Sequence, residues 1–133
     1  MKNEIIKKID KLNFPENEVV LTLEEFFIDN PNEGSIGPNI YPTLIPLEEF
    51  YRKLKSIRKL DEVQDVLIRV YEIEFDWPYT ENVYIITKQE TNKISNYVND
   101  LCPSEIAEGW SNKKPINAPD IFPGMKIINL WWD

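Results

Sequence analysis

The feature that most restricts how this chain can fold is a change of hydrophobic period along it. Leu47, Phe50, Leu54 and Ile57 recur at helical spacing, with Arg52, Lys53, Lys55, Arg58 and Lys59 mostly on the opposite arc, so residues 47–60 specify an amphipathic helix. The apolar residues that follow alternate instead. Val66, Ile68 and Val70 fall on one face of an extended segment, and Leu67, Arg69 and Tyr71 on the other. A strand over 65–75 results, and its apolar phase switches after Tyr71 to Ile73 and Phe75, as at a bulge or twist.

The same reading extends in both directions. Turn formers fill 76–82 and a second β-rich run occupies 83–87, which predicts a hairpin. Thr87 and Glu90 have the spacing of a capping box, opening a helix over 88–101 whose inner stripe is Ile94, Tyr97, Val98 and Leu101; Pro103 ends it. A terminal strand covers 125–132. Upstream, Ile5, Ile6, Ile9 and Leu12 stripe a short helix, and alternation from Val19 to Glu24 favours a strand leading into 25–28. Thr22 and Glu25 also fit a capping box, a rival reading in which a helix starts there. After the first helix the order is β-α-β-β-α-β. The expected fold is therefore α+β: a ferredoxin-like, four-stranded antiparallel sheet with the helices at 47–60 and 88–101 on one face and an extra N-terminal helix. Two irregular stretches, 29–46 and 103–124, remain, and loops of that length are disproportionately functional.

Composition bounds the function. At 133 residues the chain is expected to be one acidic domain, 1–133, and its 42% hydrophobic and 12% aromatic content offsets the entropy of ordering. Cys102 is the single cysteine, which excludes an intrachain disulfide and fits a reducing cytoplasm; its place at a helix end suggests a buried structural thiol. The N-terminus has no signal-peptide core, and no apolar run reaches the roughly 20 residues that span a bilayer. A net charge of −8, without a basic block, makes nucleic acid a poor partner and a basic protein a better one. There is no histidine, so the commonest general base and metal ligand are missing, and no cofactor or metal is expected.

Candidate sites are few. Residues 29–34 superficially match a calcium loop, but Pro31 takes a ligand position and Ile40 stands where a bidentate Glu is required. Gly34, Ser35 and Gly37 could present backbone N–H groups to an anion or ligand. Glu72, Glu74 and Asp76 read as a solvated strand end. The aromatic residues carry more. Tyr71, Tyr84 and one of Trp131 and Trp132 can share the sheet face away from the helices, and Trp110 lies in the second long irregular stretch. Adjacent tryptophans in a strand face opposite sides, so one belongs to the core and the other must be covered by a loop, a ligand or a partner. Tyr71, Tyr84, Trp110, Trp131 and Trp132 are accordingly the candidate partner-binding residues.

Glu25-Phe26-Phe27 with Asn30, Gly34-Ser35-Ile36-Gly37 with Asn39, Asp65-Val66, Trp77-Pro78, Val83-Tyr84, Glu108-Gly109-Trp110, Pro123-Gly124-Met125 and Trp131-Trp132-Asp133 resemble, from about residue 19 onward, a small bacterial family of uncharacterised single-domain proteins. That resemblance implies no activity and no catalytic residue. The functional expectation is a noncatalytic domain that binds another protein, a basic one or a second copy in a homodimer, as an immunity-type inhibitor or a regulatory module. The alternative is a small enzyme or ligand-binding domain with a pocket between the 34–37 loop and Trp110, using Glu33 or Glu108 as proton carriers.

Overall fold

The computed structural model describes residues 2–37, 45–74 and 76–132; Asn39, Ile40, Phe75 and Asp133, named above, lie outside them. Helix α1 (Lys2–Lys11) turns Ile5 and Ile9 into the core. Strand β1 (Val20–Thr22) is only three residues long, because Thr22 starts a helix. Its Oγ1 accepts from the Glu25 N–H at 3.0 Å while the Glu25 carboxylate accepts from the Thr22 N–H at 3.0 Å. This reciprocal cap opens α2 (Leu23–Phe27), so the helical alternative prevails over a strand continuing through residue 28. Helix α3 (Leu47–Arg58) buries Leu47, Phe50, Leu54 and Ile57, the stripe expected from their spacing.

Beyond α3 the chain forms β2 (Val63–Arg69), β3 (Glu72–Glu74), β4 (Trp77–Tyr79) and β5 (Asn82–Thr87). Strands β2 and β5 pair antiparallel, as the hairpin reading anticipates, but the phase switch after Tyr71 is the start of a separate ribbon: β3 pairs with β4 in its own two-stranded sheet. Helix α4 (Thr91–Val98) runs on into a 3₁₀ turn at Asn99–Leu101. The Thr87–Glu90 capping box does not form. Thr87 instead donates its hydroxyl to the Glu62 carbonyl and accepts from the Gln89 N–H, ending β5 rather than opening α4. Strand β6 (Glu105–Glu108) lies in the stretch expected to be irregular, and β7 (Lys126–Trp131) follows.

Among the described residues five strands form the main sheet, in the order β1-β2-β5-β7-β6 with every pairing antiparallel. The four expected strands are present, but they sit side by side in chain order, and β6 adds a fifth at one edge. The ferredoxin-like order, which interleaves the strands, is not the one observed. Local periodicity reports which side of a strand is buried and carries no information about its neighbour, so a meander and a split βαβ share one hydrophobic pattern.

The sheet separates two apolar layers. Val66, Ile68, Val83, Ile85, Ile128 and Leu130 face α3 and α4, packing with Phe50, Leu54, Ile57, Ile94 and Val98; both helices thus occupy one face. Val20, Leu67, Tyr84, Ile86 and Ile127 face the other way and pack under Trp110, Ile121 and Met125. Cys102, expected to be buried, is exposed in a left-handed turn that ends the 3₁₀ segment.

Candidate functional site

The face of the sheet away from the helices is covered by the long segment between β6 and β7. Its course is fixed by hydrogen bonds to successive strands: the Ser111 N–H donates to the Tyr84 hydroxyl at 3.1 Å, and the Ile116 N–H to the Glu18 carbonyl at 2.8 Å. Asn117 then takes both the N–H and the carbonyl of Val20, at 2.9 and 2.8 Å, and Gln64 spans Asp120 and Phe122. Trp110 stands edge-on to Tyr84 with ring centres 4.9 Å apart, which is why Tyr84 is fully buried although it points away from the helices.

This cover stops short of the β6 side. There the sheet face opens into a cleft of about 400 Å³ lined by Asn82, Glu105, Ala107, Trp110, Asn129 and Trp131, together with Glu108, Gly109 and Ser111. Register explains the lining. Arg69, Asn82, Trp131 and Glu105 fall opposite one another across β2, β5, β7 and β6, and Leu67, Tyr84, Asn129 and Ala107 form the next row. The floor is a polar chain. Glu18 pairs with Arg69 at 2.6 Å with both side chains largely buried, Arg69 donates to Asn82 at 2.9 Å, and Asn82 donates to Asn129 at 2.9 Å. The one cation of that row is therefore neutralised beneath the floor, and among the described residues no Lys or Arg lines the cleft. Glu105 has no ion pair among the described residues, and the Trp131 indole N–H is directed to Glu81 at 3.5 Å. An acidic, aromatic-walled recess is the result.

The candidate partner-binding residues divide. Tyr84, Trp110 and Trp131 come together on this face. Trp132 does not: its ring is fully buried on the helix side, edge-on to Phe50, with its N–H donated to the Leu101 carbonyl at 2.8 Å. The two adjacent tryptophans thus face opposite sides as strand geometry requires. Tyr71 lies beyond the end of β2, where the chain leaves the main sheet for β3; it is 47% exposed and is not among the residues that line the cleft. Sequence reasoning did not single out Asn82 and Asn129, which the pairing of β5 with β7 brings to one face, nor Glu105, whose strand β6 was not anticipated.

The Gly34–Gly37 loop is elsewhere. It adds to the ribbon end through an Ile36–Thr80 bridge, and its N–H groups at Ser35 and Gly37 already donate to Asn32 and Thr80, while Ile36 joins the helix-side core. It does not meet Trp110, so the pocket expected between them is absent from the described residues. Glu33 accepts from the Leu47 N–H at 3.0 Å, and the Glu108 carboxylate accepts from Thr91 at 2.9 Å on the helix side of the sheet. Neither is free to carry protons in the cleft. Asn30 bonds Phe26, Ser35 and Asn32, which accounts for the turn at 29–34 by local chemistry. Burial raises the Asp65 carboxyl above its ordinary range, but this residue lines a different, smaller hollow with Lys8 and Glu25. A further groove of about 600 Å³ runs beside α1 and is walled by Glu4, Lys7, Lys8, Lys11, Leu12 and Asn117. Among the described residues no three acidic or thiol side chains converge as a cation would need, and no helix is long and apolar enough to cross a membrane.

A family model described as the uncharacterised protein YfbO family matches residues 1–130. A protein of Escherichia coli (strain K12), described as uncharacterised protein YfbO, is 34% identical over 116 residues, covering 86% of this chain and 82% of its own length. No solved structure matches.

Proposed function

We propose that the chain, which belongs to the uncharacterised YfbO family, is a noncatalytic interaction domain whose cleft between Trp110 and Trp131 receives a cationic side chain of a basic partner protein. The observation that carries this reading is the lining: two half-buried indoles and the Glu105 carboxylate, which has no ion pair among the described residues, with no Lys or Arg among the described lining residues. An indole face attracts a Lys or Arg head group while the aliphatic stem packs against the ring, and a carboxylate at the rim completes the charge pairing. The net charge of −8 acts in the same sense at longer range, speeding encounter with a positive surface. An inhibitor that occupies the basic cleft of another protein, or a regulatory module acting in a reducing cytoplasm, are the two forms this function would take. A homodimer through the same cleft is disfavoured, since it would oppose two acidic surfaces.

Affinity capture from the native cell tests the reading when it compares variants. Trp131→Ala should reduce partner retention roughly 10-fold or more, because one large aromatic contact contributes about 1.5–3 kcal/mol. Glu105→Gln should reduce it two- to threefold and lessen its salt dependence, and Glu72→Gln, on the exposed ribbon, should change nothing. Retention that is indifferent to Trp131 and to salt places the interface elsewhere.

A further inference from the structure

The two edges of the main sheet are finished differently. In an antiparallel sheet alternate residues of an edge strand turn their N–H and C=O groups outward, where another strand can bond them. At the β1 edge the outward residue is Val20, since the Val70 N–H bonds Val19 on the inner side; both outward groups of Val20 are taken by the Asn117 carboxamide, which stands in for a strand. That edge is sealed. At the opposite edge the Gly109 N–H donates inward to the Ile127 carbonyl at 2.9 Å, and by alternation Ala107 also turns toward β7. Ile106 and Glu108 therefore turn their backbone groups outward, and no described group bonds them there. Glu105, Ala107 and Glu108 are exposed as well, whereas every residue of β5 is buried.

We infer that β6 is a docking edge, and that an extended segment of a partner, carrying Lys or Arg at alternate positions, adds to it as a sixth strand. This rests on the basic-partner reading above and specifies how the partner is held. Charge selects the occupant. Glu105 projects onto the cleft face beside Trp131, and Glu108 onto the helix face, where Lys126 at 3.9 Å is its cationic neighbour. A strand laid against β6 places every second side chain on the cleft face, within reach of Glu105 and the indoles, so a cation at those positions is matched and a carboxylate is repelled. A second copy fits poorly: it would align two chains of charge −8 along one edge.

The probe is a capped ten-residue peptide of alternating Lys and Thr, compared with an isomer in which five Lys precede five Thr, both added to the isotope-labelled full chain at low salt. Strand addition predicts that the alternating peptide binds at least 10-fold more tightly and slows hydrogen exchange of the Ile106 and Glu108 amides. Glu108→Pro, which removes an outward N–H while leaving the inward ladder intact, should abolish binding, whereas Glu108→Gln should weaken it no more than threefold. Amide exchange in the unmodified chain carries the test even if the proline variant does not fold. Equal binding of the two isomers, weakened by Trp131→Ala but without protection of Ile106 and Glu108, overturns strand addition and leaves the cationic cleft standing. Binding of neither peptide overturns the docking edge, and the capture experiment then decides separately on the cleft. Protection of the same amides that grows with the concentration of the chain alone overturns the proposal in favour of self-association.

Discussion

Trp131 and Trp132 are chemically identical neighbours with opposite duties. Trp132 is fully buried, packs edge-on against Phe50 with ring centres 5.6 Å apart and satisfies its N–H on Leu101. Removing it leaves a cavity that α3 and the 3₁₀ turn cannot both collapse into, together with an unsatisfied carbonyl. Trp132→Ala should cost about 3–5 kcal/mol, read as a lower urea midpoint with little change in slope. Trp131→Ala removes a ring that already meets solvent in the cleft and should cost distinctly less while acting on binding. The pair was legible in the sequence as one inward and one outward ring, because successive strand residues must diverge. Which was which was not legible, since that depends on the register of β7 against β5.

Helix α2 is five residues long, too short to persist alone, and is held by its cap and by ion pairs to other helices. Lys8 of α1 reaches Glu25 at 2.7 Å, and Arg58 of α3 grips Glu24 with two hydrogen bonds of 2.9 and 2.6 Å. The hydrogen bond from Arg58 holds the Glu24 carboxyl at about 2, against an ordinary 4.5. A carboxyl depressed in the folded state contributes stability above its unfolded pKa, and that contribution fades as pH falls from about 4.5 toward 2. Glu24→Gln should therefore lower the melting temperature at pH 7, and the gap from the parent should close across that window. The Glu24 side chain is 43% exposed, so solvent screening keeps the effect to about 1 kcal/mol or less. Glu25 adds to the acid response of both proteins, because Lys8 and Thr22 hold its carboxyl below the ordinary value against the opposing effect of burial.

Across the whole molecule the helices protect one face of the sheet and the segment between β6 and β7 protects the other, with Asn117 closing the β1 edge. Asn117→Ala would leave the outward Val20 groups unpaired and should cost about 1–3 kcal/mol, with faster amide exchange at Val20 as the specific readout. The sequence by itself determined the amphipathic helices, the alternating strands, the turn at 29–34 and the divergence of the tryptophans. All of these follow from dihedral preference and from burial that repeats every 2 or 3.6 residues, quantities set by neighbours a few positions away. Tertiary structure alone decided the strand order, the burial of Tyr84 beneath Trp110 and the alignment of Asn82, Asn129, Trp131 and Glu105 into a cleft. Those depend on pairings such as Val20 with Asn117, 97 positions apart, whose energy comes from burying and hydrogen-bonding distant groups together and leaves no periodic trace in the chain.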